Sequence, residues 1–204
     1  MASSSGKALK FVLFLGTVRD NNMGSRAASF VMKKLKEKGH DATLLDPEVL
    51  GLPLLKKPLH FYEDRTQAPQ VLQDTVKVIE AADVYMVITA EYNQCLPPAL
   101  TNMMDHFPIP AYKYRPSGIV CYSMGSFGGI RAAIQARSLL GELGSPSLGC
   151  FVIPQIQNEL SEDGTLKGEN KERLEKNADK IITELAWLGD AIKSKKDSEG
   201  FPKL

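Results

Sequence analysis

The stretch FVLFLGTVRDNNMGS, residues 11–25, decides the fold of this chain. Its five apolar residues, 11–15, end at Gly16, and a polar turn leads into a segment with helical apolar spacing. A buried strand, a turn and a helix start can bind an anion, because the first N–H groups of a helix have no partners within it. The turn matches neither the Walker loop nor the G-x-G-x-x-G pattern. An ordinary βα turn of an α/β protein remains the alternative interpretation.

Composition and charge indicate an ordinary globular domain. The chain has 204 residues, of which 43% are hydrophobic and 24% are charged, and its formal net charge is +1. This charge creates no field that would attract nucleic acid or a membrane surface, and no apolar run is long enough to cross a bilayer. The three cysteines lie far apart, which predicts a reducing compartment without disulfides or a zinc site. We therefore expect a cytoplasmic protein that binds no metal.

The two ends of the chain are predicted to be tails around one domain at residues 10–193. Residues 1–9 are small and polar and lack the apolar core of a signal peptide, so we expect them to be disordered. Residues 194–204 form the C-terminal tail. Its last three residues, Pro202-Lys203-Leu204, are close to the Ser-Lys-Leu peroxisomal address. A peroxisomal location is therefore an alternative to a frayed polar end.

Apolar runs and helical patterns alternate along the domain. The predicted strands are residues 11–15, 41–45, 84–89, 118–122 and 148–153. The predicted helices are residues 24–38, 70–81, 98–107, 130–143 and 169–193. Segments 47–69 and 158–168 are predicted to be irregular. Five strands alternating with helices predict a doubly wound α/β fold, with a parallel sheet covered on both faces.

Three loops follow the first, third and fourth strands: residues 16–24, 90–97 and 123–129. Ligands of such sheets bind beyond the carboxyl ends of the strands, so we expect these loops to meet at one site. The first loop would bind phosphate, and the second offers an aromatic ring and an amide. The third, SMGSFGG, presents a run of backbone N–H groups, which stabilises spread-out negative charge. A planar, phosphate-bearing ligand with an anionic state, flavin mononucleotide (FMN), fits these three features.

Three motifs resemble those of the NAD(P)H-dependent FMN reductase family, the flavodoxin-like quinone and azo reductases. LGTVRDNNMG is similar to the family's phosphate loop, and TAEYNQCLPPALTNMMDHF to its P-E-Y-N-x-x-x-P-x-x-L-K-N-x-x-D segment. YSMGSFGGIRA is similar to its S-x-G-x-x-G-G turn. The resemblance covers residues 10–193. It implies a flavodoxin-like, five-stranded parallel sheet in the order 2-1-3-4-5.

The resemblance also assigns cofactor contacts by position. The residues implied to hold the FMN phosphate are Thr17, Arg19, Asn22, Met23 and Gly24. Those implied to line the isoalloxazine ring are Glu91, Tyr92 and Asn93, of which Tyr92 and Asn93 are the predicted catalytic residues. Those implied to form the N–H nest at the other ring edge are Ser123, Gly125, Gly128 and Gly129.

Family members are usually dimers or tetramers with the flavin near an interface, so the resemblance implies a homodimer. An interface would account for the apolar residues after Pro47 and for three aromatic residues, Phe107, Tyr112 and Tyr114. The chain departs from the family pattern twice. Ala90 replaces a Pro, which should loosen the second loop. Thr101 replaces a Lys that commonly pairs across subunits, which leaves a tetramer in doubt.

The implied activity is hydride transfer from NADPH or NADH, through FMN, to a small-molecule electron acceptor such as a quinone, an azo compound or free flavin. The two half-reactions would follow a ping-pong cycle. A flavodoxin-like electron carrier or flavin redox sensor with little turnover is the first alternative. Flavodoxins are usually acidic, and this near-neutral chain favours the enzyme. A phosphate-binding α/β enzyme without flavin is the second alternative.

A few residues beyond the assigned cofactor contacts have two interpretations each. Cys95 lies beside the predicted flavin edge and is either redox-active or a packed thiol. His106 is either a structural residue or a proton donor to the acceptor. Three cations are either surface charges or readers of the extra phosphate of NADPH: Lys113, Arg115 and Arg131.

Overall fold

Five parallel strands in the order β2-β1-β3-β4-β5 form the centre of the fold in the computed structural model, which describes residues 7–202. The strands are β1 (Lys10–Leu15), β2 (Asp41–Leu45), β3 (Val84–Ala90), β4 (Ser117–Tyr122) and β5 (Ser147–Ile153). This order confirms the predicted flavodoxin-like, doubly wound sheet. The residues of β3 and β4 are all buried, as expected for strands covered on both faces.

Helices cover the two faces of the sheet. They are α1 (Gly24–Glu37), α2 (Pro47–Leu50), α3 (Gln70–Glu80), α4 (Pro98–Asp105), α5 (Ile109–Tyr112), α6 (Ile130–Glu142), α7 (Ile156–Glu159) and α8 (Lys171–Glu199). The core on one face is built with α1 and α8, and the core on the other with α3, α4, α5 and α6. Among residues 7–202, no helix has both the length and the apolar character that a bilayer crossing requires.

The segment 47–69 is less irregular than predicted. It contains α2 and two 3₁₀ turns, Leu59–Phe61 and Arg65–Gln67. Two side chains, one in α4 and one directly after it, form hydrogen bonds with the middle of the segment 47–69. The Asn102 amide donates to the Pro53 carbonyl at 3.0 Å and accepts from the Leu55 N–H at 2.8 Å. His106 is buried with Nε2 3.1 Å from the same Pro53 carbonyl, which favours its structural interpretation over a proton donor in the cleft.

Three side chains for which the sequence predicts a surface or interface position are internal. Phe107 and Tyr112 are buried beneath α4 and α5, so an interface is not needed to explain them. Arg115 is also buried, and its guanidinium donates to four backbone carbonyls, those of Glu80, Ala82, Ala111 and Lys113. Because Arg115 precedes β4, it lies at the amino edge of the sheet and does not read a ligand at the carboxyl edge.

Buried or helical residues lie outside residues 10–193 at both ends of the chain. Leu9 is buried in the core, next to the start of β1, so ordered chain begins before residue 10. Helix α8 continues to Glu199, six residues beyond the predicted end, because the first residue that ends it is Gly200. Phe201 then packs against Tyr114 with ring centroids 5.3 Å apart. The peroxisomal interpretation depends on residues 203–204, which lie outside the described residues.

Candidate active site

The loops after β1, β3 and β4 meet at the carboxyl edge of the sheet and surround a cleft of about 450 Å³. This volume lies within the range of small-molecule and cofactor pockets. The residues that line the cleft are Arg19, Asp20, Asn21, Asn22, Met23, Ala90, Glu91, Tyr92, Tyr122, Ser123, Met124 and Gly125. All three predicted loops therefore contribute to one site.

The first loop ends in a helix start with free N–H groups. The Asn22 side chain binds the start of α1: its Oδ1 accepts from the Ser25 N–H at 3.0 Å, and its Nδ2 donates to the Arg19 carbonyl at 3.1 Å. Within the described residues, the N–H groups of Met23 and Gly24 have no acceptor. Such donors at the positive end of a helix bind anions.

Thr17 and Gly24 lie where the first loop packs against Tyr92 and Tyr122. Thr17 is buried, and its Oγ1 lies 2.5 Å from the Tyr92 hydroxyl. The Arg19 guanidinium lies over the ring of Tyr92, 3.6 Å from its centroid, in a cation–π contact. At Gly24, a Cβ would come within 2.6 Å of the Tyr122 hydroxyl. These contacts pack the first loop against the strand ends and the second loop.

The second loop is a tight reverse turn. Tyr92 and Cys95 exchange backbone hydrogen bonds of 3.0 and 2.9 Å. The residues between them, Asn93 and Gln94, have left-handed φ values of 50° and 68°, as in a type I′ turn. Asn93 is exposed at the tip and does not line the cleft. In the described chain, the N–H groups of Asn93 and Gln94 have no acceptor.

Glu91 lines the cleft, but its carboxylate is held by the start of α6. Oε2 accepts from the Arg131 backbone N–H and Oε1 from the Arg131 guanidinium, both at 2.9 Å. Glu91 thus joins the second loop to the helix that follows the third. Arg131 is engaged by this pair and by the Phe127 ring, 4.6 Å away, so the structure gives no support to its role as a reader of NADPH phosphate.

The third loop divides its predicted nest residues between two roles. Ser123 and Gly125 line the cleft. Gly128 and Gly129 have φ values of 62° and 82°, and a Cβ on Gly129 would lie 2.7 Å from the Tyr122 carbonyl. These two glycines hold the loop against β4 and β5. Across residues 7–202, no acceptor is found for the N–H groups of 124–129, which leaves a run of donors suited to an anionic ligand.

Tyr122 is the main cleft residue that the sequence interpretation missed. The sequence predicts Tyr122 only as the last residue of a strand. Because it ends β4 at the carboxyl edge of the sheet, its side chain lines the cleft. Burial, and then the neighbouring Tyr92, raise the pKa of Tyr122 well above its usual value, while Arg19 opposes them. Tyr122 therefore stays neutral at physiological pH.

A second, more apolar cavity of about 260 Å³ lies on the other side of Tyr92. The residues that line it are Val18, Pro47, Leu52, Leu54, Tyr92, Pro98, Ala99 and Asn102. Leu54 is 80% exposed and Val18 is 48% exposed. The segment held by Asn102 thus forms an apolar wall beside the cleft.

Comparison with known proteins decides between the candidate ligands. A family model described as NADPH-dependent FMN reductase matches residues 9–159. The chain belongs to this family. It is therefore an NAD(P)H-dependent oxidoreductase whose cofactor is FMN, as its three loops predicted. The donors fit this cofactor, because FMN carries a phosphate and, when reduced, a negatively charged ring edge.

Solved structures share the fold of this FMN reductase family member at low identity. The flavoenzyme NAD(P)H:(acceptor) oxidoreductase FerB from Paracoccus denitrificans aligns with a TM-score of 0.74 and 18% identity, over 90% of this chain and 98% of its own. An NAD(P)H:quinone oxidoreductase from Methanothermobacter marburgensis gives 0.55 and 14%, over 90% and 98%. An FMN-dependent NADH-azoreductase from Bacillus anthracis, solved with FMN, gives 0.55 and 11%, over 88% and 99%.

Proposed function

We propose that this reductase holds FMN across its three loops and transfers hydride from NADPH or NADH to a quinone-like acceptor in a ping-pong cycle. One observation carries the proposal: within residues 7–202, two groups of backbone N–H donors have no acceptor, those of Met23–Gly24 and those of Met124–Gly129, and each group begins at a residue that lines the cleft. FMN has two anionic parts, its phosphate and its reduced ring, and each donor group suits one of them.

Residues of the first loop would bind the phosphate. The α1 N–H groups and the Arg19 guanidinium supply donors, Asn22 keeps the helix start in place, and Thr17 and Gly24 support it from below. Arg19 would leave the Tyr92 ring or bridge it to the phosphate. A permanent positive charge here adds affinity for any phosphate ligand.

The second and third loops would hold the ring. The N–H groups of Asn93 and Gln94 would donate to one edge, and those of 124–129 to the edge that becomes negative on reduction. When bound, FMN accepts a hydride and passes it on. Tyr92 and Asn93 thus assist by position and hydrogen bonding, with no side chain acting as a nucleophile.

The cavity beside Tyr92 favours a planar, apolar acceptor. Its walls are leucine, valine, proline and alanine side chains, with Asn102 as the polar group. Quinones have this character, and the quinone oxidoreductase and azoreductase structures with the same fold are named for such acceptors. One acceptor place next to the ring, used after the nicotinamide has left, accounts for a ping-pong cycle.

We further propose a homodimer in which a second copy covers Leu54 and Val18. Large exposed apolar side chains beside a ligand cavity are a liability on a monomer. Thr101 donates its hydroxyl to the Pro98 carbonyl of its own helix at 3.1 Å. A threonine supplies no cation at the position where the family's Lys pairs across subunits, which favours a dimer over a tetramer.

An anaerobic reduction experiment tests the activity. The purified protein should be yellow, and NADPH or NADH should bleach it within seconds, after which a quinone should restore the colour. Parallel double-reciprocal plots would support the ping-pong cycle, and converging plots would contradict it. A yellow protein that neither nucleotide reduces would point instead to a carrier or sensor, and a colourless protein that takes up no FMN would contradict the proposal.

A further inference from the structure

Gln135 is an exposed residue of α6 that lies outside every recognised motif. Its side chain forms hydrogen bonds with the second loop. Its Nε2 donates to the Gln94 carbonyl at 3.0 Å, and its Oε1 accepts from the Leu96 N–H at 3.0 Å. One side-chain amide thus uses both of its ends on the same short turn. The two bonds join chain positions that are separated by about forty residues.

The turn needs such support because its backbone is in an unfavourable region. Asn93 and Gln94 both have left-handed φ values. Asparagine adopts this region with little difficulty, whereas a longer L side chain such as Gln94 is disfavoured there. The bond to the Gln94 carbonyl fixes the peptide that follows the disfavoured residue, and the bond from Leu96 fixes the exit of the turn.

Helix α6 also holds the entrance of the same loop. Arg131 lies one helical turn before Gln135 and binds both oxygens of Glu91. Residues four apart share one face of a helix, so Arg131 and Gln135 bind the loop from the same face of α6, one at its entrance and the other at its exit. Since α6 begins directly after Gly129, the same helix relates the second loop to the third.

We propose that Gln135 is a positioning residue for hydride transfer: it holds the Asn93–Gln94 turn in the conformation from which the N–H groups of these two residues, which have no acceptor within residues 7–202, would donate to the flavin edge. The role rests on the proposed function, because it requires the ring to lie between the second and third loops. Gln135 is not among the residues that line the cleft, and its two side-chain hydrogen bonds go to Gln94 and Leu96, so its removal should disturb ring placement more than cofactor affinity.

Gln73 on α3 provides a matched control. Its Nε2 donates to the Thr66 and Ala68 carbonyls at 3.1 and 2.8 Å. Its amide therefore also binds the backbone of a loop, the one that precedes α3. That loop does not line the cleft. Gln135→Ala and Gln73→Ala therefore remove the same groups from two helices, one facing the flavin loops and one away from them.

The first measurement uses the protein without FMN. Hydrogen exchange at the Leu96 amide should become at least about tenfold faster in Gln135→Ala, because the amide loses its acceptor, and should not change in Gln73→Ala. With FMN bound, the single-turnover rate of flavin reduction by NADPH should fall about tenfold in Gln135→Ala, since small misplacements are costly in rate. FMN affinity should stay within about threefold of the wild type, because the phosphate donors are intact.

A second substitution separates positioning from general damage. Gln94→Gly removes the disfavoured φ, so the Gln94→Gly/Gln135→Ala double variant should recover most of the reduction rate. Unchanged Leu96 exchange, or an unchanged reduction rate, in Gln135→Ala would overturn the positioning role. Failure of the wild type to take up FMN would instead overturn the proposed function, and the exchange result would still show whether Gln135 supports the turn.

Discussion

The Tyr92 hydroxyl and Oγ1 of Thr17 share a hydrogen bond of 2.5 Å, although the two residues are 75 positions apart in the chain. Thr17 belongs to the first loop and Tyr92 to the second. Thr17 also accepts the Arg19 N–H at 3.3 Å, so one buried hydroxyl organises both loops. This bond sets the separation between the place proposed for the phosphate and the place proposed for the ring.

A double-mutant cycle tests this link. Thr17→Val and Tyr92→Phe should each lower the free energy of unfolding, with a coupling energy of about 1 kcal/mol, the usual net value of a hydrogen bond. Chemical denaturation of the protein without FMN measures it. As a control, Tyr92→Phe and Thr75→Val, on the distant helix α3, should add within about 0.5 kcal/mol. Strict additivity in the first cycle would show that the bond does not stabilise the loops.

Arg19 should contribute directly to FMN affinity. Arg19→Ala removes the only guanidinium among the residues that line the cleft in the described chain, and should weaken FMN binding by about 1.5–3 kcal/mol, as for one charged hydrogen bond. Fluorescence quenching of FMN measures the change. Arg173→Ala, which removes an exposed arginine of α8, should leave the affinity unchanged. Equal affinities in all three proteins would refute the phosphate assignment.

Gly129 should be intolerant of any side chain. Gly129→Ala places a Cβ 2.7 Å from the Tyr122 carbonyl at a φ of 82°, and should lower the free energy of unfolding by at least about 2 kcal/mol. Gly141→Ala in α6, the helix that follows Gly129, places a Cβ with no atom of the described chain within 4 Å outside its own helix backbone and its two chain neighbours. It should be neutral or stabilise by up to about 1 kcal/mol, since alanine favours helices. Thermal and urea unfolding distinguish the two variants.

Cys150 should be the thiol that reacts at lower pH than an ordinary cysteine. The hydrogen bond from Cys121 and the nearby Arg137 guanidinium lower the pKa of Cys150, against the effect of burial, while the pKa of the buried Cys121 is raised. In a Cys95→Ser background, the rate of alkylation should rise with a midpoint below the usual value of about 8.5. Arg137→Met should move that midpoint upwards, and identical profiles would contradict this account.

Stability should fall as pH is lowered past the ordinary pKa of histidine, in part because of His40. Burial, and then Lys38, lower the pKa of His40, while Asp41 opposes them, and its Nδ1 accepts the Leu9 N–H at 3.4 Å. The unfolded chain therefore binds a proton more readily, so this contribution is complete above about pH 6.5 and is lost below it. His40→Gln should show a smaller change in unfolding free energy between pH 7.5 and pH 5. An equal change in both proteins would exclude His40.

Local sequence patterns predicted the strands and the doubly wound α/β class, and the family resemblance supplied the strand order. The predicted strands agree with β1–β5 to within one residue at each end, because buried parallel strands are continuous apolar runs with turn residues on either side. The three ligand loops followed from the strand positions, since parallel strands all end at one edge. The end of α8 was missed because helical spacing weakens where the helix leaves the core, whereas the helix persists until Gly200.

Contacts between distant residues were decided only by the tertiary structure. The motifs predict Thr17, Glu91 and Gly129 at the cofactor, and only the folded chain shows their close neighbours Tyr92, Arg131 and Tyr122. No periodicity reports which of two nearby loops a side chain will face, because that depends on how sheet and helices pack. Gln135 is the clearest case: its own sequence surroundings describe an exposed helix position, and its two bonds exist only because α6 packs beside the loop after β3.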